Sequence, residues 1–142
     1  MVDFAKRNLP FDNDKLSEIE MKANLIENKS FEFAVRIVNL CKYLRYDKEE
    51  FIMSKQLLKC GTSIGANVSE AERGQTMPDF LTKMNIALKE SNETHFWIRL
   101  LYRTDYIDKK MFESLENDLR EIIRILMAIC KTTNETINTN NG

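Results

Sequence analysis

The chain has 142 residues, enough for one domain with a substantial core. Its hydrophobic content of 43% is ordinary for a globular protein, and its formal net charge of −1 supplies no global pull toward nucleic acid or an anionic membrane. Four glycines and two prolines leave few breakers, so long helices are favoured over a many-turned β fold, and no stretch approaches the roughly 18 apolar residues of a membrane span.

Residues 1–27 read as a polar leader. Asp3, Lys6, Arg7 and Pro10 interrupt any signal-peptide pattern. Leu9 to Asp12 reads as a turn. Beyond it, Leu16, Ile19, Ala23 and Ile26 recur at three- and four-residue steps, which fits a short amphipathic helix as well as a loosely held arm.

The first strong helix is predicted from Phe31 to Tyr46, with Ser30 as N-cap. Its apolar stripe is Phe33, Ile37, Leu40, Cys41 and Leu44, and Asp47 to Glu50 form a polar connection. The second helix is predicted over 52–72, with Leu57, Gly61, Ile64, Val68 and Ala71 inward. Two interior glycines cost a helix about 1 kcal/mol each against alanine. Gly61 and Gly65, accompanied by Ser63 and Asn67, therefore predict a closely approaching neighbour. Gly74 suits a left-handed C-cap.

A third helix of about 27 residues is predicted to begin near Pro78, with Asp79 complementing its dipole. Phe80, Met84, Ala87, Ser91, Thr94, Ile98 and Leu101 repeat at the spacing of coiled-coil packing. Thr104 to Asp108 form the next turn, with Asp108 as N-cap. The fourth helix is predicted over 109–132, with Phe112, Leu115, Leu119, Ile122, Leu126 and Ile129 inward. Ile123, Ile125, Met127 and Cys130 fall outside that seam, so the segment is apolar on nearly every side. This predicts a subunit interface at Ile123, Ile125 and Met127; the alternative is a wide core face with a few exposed apolar residues. Residues 133–142 form a polar Asn/Thr tail expected to fray. Short connections make the helices antiparallel neighbours, giving an all-α up-down-up-down four-helix bundle over 28–133.

Gln56, Ser63, Asn67 and Glu70 share one face of the second helix, and Glu90, Ser91, Glu93 and Thr94 cluster on the third. Buried polar groups need partners. The two clusters read as a hydrogen-bonded layer that fixes register, as a ligand pocket, or as a catalytic carboxylate pair. His95 is the only histidine, and it reads as a boundary residue beside Phe96 and Trp97. No Glu-x-x-His pair or finger-like cysteine spacing suggests a metal, and no phosphate loop or nucleophile pattern suggests an enzyme. No cofactor is expected. Cys41, Cys60 and Cys130 read as small core residues in a reducing cytoplasm.

Candidate nucleic-acid contacts are Lys55, Lys59, Arg73, Lys83, Lys89, Arg99, Arg103, Lys109 and Lys110, interleaved with acidic residues. Mixed charge is usual for a solvated bundle, but a cyclic oligomer repeats each patch around its axis and lets weak patches act together.

Residues 29–34 (Lys-Ser-Phe-Glu-Phe-Ala), 56–58 (Gln-Leu-Leu), 62–71 (Thr-Ser-Ile-Gly-Ala-Asn-Val-Ser-Glu-Ala), Asp79-Phe80 and 86–94 (Ile-Ala-Leu-Lys-Glu-Ser-Asn-Glu-Thr) resemble the bacterial four-helix-bundle family called the 23S rRNA intervening-sequence, or S23-type, proteins. The resemblance covers residues 24–132. It implies a ring-like homopentamer with relatives encoded within ribosomal RNA genes. A further relative is the strongly basic accessory variability protein of diversity-generating retroelements, which works with a reverse transcriptase and nucleic acid. By this likeness the chain is a non-catalytic cytoplasmic scaffold that contacts RNA, DNA or a nucleoprotein enzyme. The pI of about 5.9 departs from the basic relative. Two readings stay open beside it: a protein-interaction adaptor without nucleic acid, and a small-molecule binder at the polar layer. The family's recurrent polar positions fall on Gln56, Ser63, Asn67, Glu70, Glu90 and Glu93.

Overall fold

The computed structural model describes residues 13–141. The expected turn at 9–12 and Gly142 lie outside the described residues. Four helices follow in order: α1 (Asn13–Tyr46), α2 (Met53–Glu72), α3 (Met77–Arg103) and α4 (Lys109–Asn141). No strand occurs among the described residues. Connections of a few residues place each helix antiparallel to the next.

Cross-helix pairs record this register. Ile37 of α1 lies against Gly61 of α2, and Ser30 against Gly65. Lys83 of α3 pairs with Glu70 of α2 at 2.7 Å, and His95 of α3 with Glu116 of α4 at 2.9 Å. Lys29 of α1 meets Glu121 of α4 at 2.8 Å, closing the bundle. The inner stripes predicted for α2 and α3 are all buried, and they join Phe33, Ile37 and Leu44 of α1 and Leu119, Ile122, Leu126 and Ile129 of α4 in one core.

The closeness predicted from the glycines is present. A Cβ at Gly65 would stand 3.3 Å from the Ser30 carbonyl oxygen, so two backbones nearly touch there. At Gly61 the neighbour is a side chain: a Cβ would come 2.8 Å from Cγ2 and 2.9 Å from Cγ1 of Ile37.

Several local expectations need correction. Ser30 is no N-cap: α1 runs straight through it, and its buried hydroxyl donates to the Glu27 carbonyl at 3.3 Å. Residues 13–27 are the first turns of α1, with Leu16, Ile19, Ala23 and Ile26 buried. Residues 133–141 continue α4, with Thr133 and Thr136 buried. The physical reason is mutual cover. The antiparallel register that pairs Lys29 with Glu121 carries the start of α1 alongside the end of α4, so each weakly amphipathic segment shields the other. Gly74 is not left-handed, since no described glycine has positive φ. A Cβ there would meet the Ala71 oxygen at 3.1 Å and the Phe80 nitrogen at 3.3 Å, so the site needs a small residue where α2 turns into α3.

Glu50 is not part of a solvated connection. It is buried, and its carboxylate accepts from the backbone N–H groups of Ile52 (3.0 Å), Met53 (2.8 Å) and Ser54 (2.8 Å). This satisfies the free donors at the start of α2. The other caps follow simpler rules. Thr76 Oγ1 accepts from Asp79 N–H at 3.1 Å, and Asp108 Oδ1 accepts from Met111 N–H at 2.8 Å.

The three cysteines are free and buried. Burial pushes the Cys41 and Cys130 thiols up to about 11 and raises Cys60 as well. The thiolate is the reactive form. Native protein at pH 8 is therefore expected to react slowly with a disulfide reagent such as Ellman's, and all three thiols to react promptly once urea unfolds it. Fast stoichiometric labelling of the native chain would contradict this placement.

Candidate functional site

The polar positions shared by α2 and α3 do not assemble into a layer. Gln56, Glu70 and Glu93 are exposed, and Ser63, Asn67 and Glu90 are half-buried. Ser63 donates back to the Lys59 carbonyl (2.7 Å) and Asn67 to the Ser63 carbonyl (2.8 Å), each within α2. Glu70 turns to Lys83. Burial, then the neighbouring Glu93, push the Glu90 carboxyl above its ordinary value. The residues buried in this part of the bundle are instead Ser91 and Thr94, which bond to carbonyls of their own helix. Short hydroxyl side chains satisfy themselves locally, and Gln56, Glu70 and Glu93 reach solvent.

Glu72 is a second carboxyl whose value is raised. Burial, followed by the adjoining Glu27 carboxyl, raises it to about 8. Neither residue lines the cleft between α3 and α4 described below. Among the described residues no group of three or more His, Cys, Asp or Glu could hold a metal. No described helix is long and apolar enough to cross a membrane.

The three residues predicted for an interface divide between two flanks of α4. Ile125 lies seven residues beyond Asp118 and four beyond Glu121, whose partners are Arg36 and Lys29 of α1. It therefore faces the α1 seam, where it is half-buried against the core. Ile123 lies seven residues beyond Glu116, the partner of His95, so it and Met127 occupy the α3 side. Met127 is 57% exposed.

A larger apolar surface was missed in the sequence. Met21, Leu25, Phe31, Val35 and Val38 form a stripe along the outside of α1, with Phe31 64% exposed. It runs opposite the buried stripe and extends about 26 Å at 1.5 Å per residue. The signal was available: α1 carries a second apolar recurrence two residues out of phase with the first.

The basic candidates separate as well. Lys83 is spent on Glu70. Arg73 sits at the opposite end of α2 from Lys55 and Lys59. Arg99 and Arg103, one turn apart on α3, are brought together with aromatic rings. With Phe96, Leu100, Tyr102 and Phe112 they line an open cleft of about 290 Å³ between α3 and α4. Tyr102 and Phe112 stack at 4.5 Å between centroids, nearly parallel, and Phe96 meets Trp97 edge-on at 5.1 Å. Among the described residues neither guanidinium has an ion pair. Three carboxylates of this end have other partners: Asp108 caps α4, Glu116 holds His95 and Arg120, and Glu113 faces Lys109.

The antiparallel order gathers the end of α1, the start of α2, the end of α3 and the start of α4 at this pole. Residues 36–60 and 96–117 hold ten Lys and Arg against seven Asp and Glu. The other pole is correspondingly acidic, so a chain of net charge −1 has one weakly basic end.

The model of the family described as 23S rRNA-intervening sequence protein matches residues 22–128. A crystal structure of a protein with unknown function from the S23 ribosomal protein family of Bacteroides thetaiotaomicron VPI-5482 is 55% identical, with a TM-score of 0.76; the match covers 78% of this chain and 98% of that one. No curated protein matches the chain. The family match leaves out the first turns of α1 and the last turns of α4.

Proposed function

The chain belongs to the 23S rRNA-intervening sequence protein family, and on that footing we propose that it is a non-catalytic scaffold that assembles into a ring-like homo-oligomer, a pentamer, and serves as a nucleic-acid or nucleoprotein accessory factor in the cytoplasm. The observation that carries this reading is the outer stripe of α1. A lone subunit leaves Met21, Leu25, Phe31, Val35 and Val38 wet, and large exposed apolar side chains gathered on one helix face mark an association site. A second, different apolar patch lies at Ile123 and Met127. Two unlike patches on one chain suit head-to-tail contact, which closes into a ring, whereas a two-fold dimer uses one patch twice. Around a ring the weakly basic pole is repeated, and its copies act together on a polyanion.

Light scattering is expected to give the wild type a mass five times the 16.7 kDa of the chain. Phe31→Lys and Met127→Lys should each give monomers. Mixed in equal amounts they should give heterodimers, because each retains the patch the other lacks. A stable wild-type monomer at micromolar concentration, or a Met127→Lys variant with unchanged mass, would refute the ring. Nucleic-acid binding must weaken steeply as salt rises; its absence even at low salt would favour the adaptor reading. Exposed Tyr46, Phe51 and Ile52 at the α1–α2 corner support that second reading, and a partner that survives nuclease treatment of the lysate would identify it.

A further inference from the structure

We propose that the cleft between α3 and α4 is a single-strand site, in which an unstacked nucleobase lies on the exposed Phe96 ring and the half-buried Phe112 ring while the strand's phosphates are held by Arg99 and Arg103. This rests on the accessory-factor reading and gives it a location and a ligand class. Four observations converge. The cleft of about 290 Å³ is open and lined mainly by aromatic and guanidinium groups. Phe96, a large apolar ring, is 51% exposed. The Tyr102–Phe112 stack presents a flat, pre-ordered aromatic surface. Arg99 and Arg103 stand about 6 Å apart along the helix axis, and neither is neutralised by a described carboxylate.

The chemistry selects this ligand over others. Guanidinium groups pair with phosphate oxygens in fork geometry, and base rings of every kind stack on aromatic side chains. A duplex keeps its bases stacked on each other and offers no free ring face, so it reaches only the arginines. A carboxylate metabolite would use the arginines and leave the rings idle. An apolar peptide would use the rings and bury two unpaired cations, which is costly. A strand with exposed bases and a phosphate at each nucleotide uses both. Stacking on the rings accepts every base, so the aromatic part of the site does not depend on base identity.

Trp97 is the only tryptophan and touches Phe96, so its emission reports on the cleft. The test titrates the full-length protein with fluorescently labelled oligo-uridine, oligo-thymidine and a mixed-sequence duplex of the same length, at two salt concentrations. Four variants accompany it: Phe96→Ala, the double variant Arg99→Gln/Arg103→Gln, Arg124→Gln as a control on α4 away from the cleft, and Phe96→Tyr as a ring-conserving rescue. Both single strands are expected to bind more tightly than the duplex and to change Trp97 emission. Phe96→Ala should weaken single-strand binding about tenfold with little change in salt dependence, and Phe96→Tyr should restore it. The double arginine variant should weaken binding and reduce the salt slope by about 0.7 per lost phosphate contact. Arg124→Gln should behave as wild type, and light scattering should give every variant the wild-type mass. If wild type binds strands but Phe96→Ala and the arginine variant bind equally well, the site is overturned while the accessory-factor reading stands. If wild type prefers duplex, the stacking role is overturned. If wild type binds neither strand nor duplex at low salt, the nucleic-acid reading itself falls and the site with it.

Discussion

Glu50→Ala is expected to lower the stability of the fold by about 2–3 kcal/mol in urea unfolding at pH 7 and constant protein concentration. The carboxylate is the common acceptor for three backbone donors at the head of α2. Ile52, which stands at the N-cap position, contributes no side-chain bond. Removing the carboxylate leaves those N–H groups facing a site where Glu50 itself is only 7% exposed. Glu50→Gln keeps one acceptor oxygen but loses the charge, and about 1 kcal/mol is expected for it. The pH dependence separates the two roles. Burial by itself raises the Glu50 carboxyl, but the N–H groups of Met53, Ser54 and Ile52 outweigh it and hold the group below its ordinary 4.5. A carboxyl lowered in the folded state stabilises fully above its unfolded value and loses that contribution as pH falls through the folded value. The gap between wild type and Glu50→Gln should therefore be complete at pH 7 and shrink below pH 4.5. A gap that stays constant down to pH 3 would show that the charge does not cap the helix.

The second large effect concerns the contact between α1 and α2. Gly61→Ala gains about 1 kcal/mol of helix propensity, yet the added methyl comes within 2.8 Å of an isoleucine that has no exposed surface. Overpacking of this kind costs about 1–3 kcal/mol, because Cγ1 and Cγ2 of Ile37 branch from Cβ and cannot swing aside as a long flexible side chain does. A net loss of about 1–2 kcal/mol is expected. Ile37→Ala should lose about 2–5 kcal/mol by leaving a cavity. In the double variant the methyl added at position 61 enters the space that the Ile37 side chain vacates, so the combined loss should fall short of the sum by about 1 kcal/mol or more. Strict additivity would mean that the two positions do not meet.

The same pair shows where sequence reasoning succeeds and where it stops. Two glycines in an otherwise apolar helical pattern announce a close neighbour, because a helix does not keep them without a use. They do not say which atoms approach: a backbone at Gly65 and a side chain at Gly61 leave the same trace. The seven-residue stripe of α3 was fully legible, including its length of 27 residues, because burial of one face is enforced turn after turn. The extended ends of α1 and α4 were not. Each segment alone is a weak helix, and what holds them is that antiparallel order lays one along the other.

The outer stripe of α1 and the cleft on α3 and α4 illustrate the two ways in which a site escapes notice. The stripe was present as a recurrence but overshadowed by the stronger inward one two residues away. The cleft has no linear signature: Phe96 and Arg99 are local to each other, but Phe112 joins them only through the turn at 104–108 and the packing of α4 on α3. Arg99 and Arg103 stood out in the sequence only as two among nine basic residues. Lys83 and Glu70, singled out for different roles, proved to be partners.

The sequence alone determined the helical class, the number of helices and which face of α2 and α3 turns inward, because periodic apolar burial is written residue by residue along the chain. Tertiary structure decided which charges are neutralised and which stand free, how far the outer helices extend, and which rings and guanidinium groups share a cleft. Those outcomes depend on the distance between residues remote in the chain, and only the packing of helix on helix sets that distance.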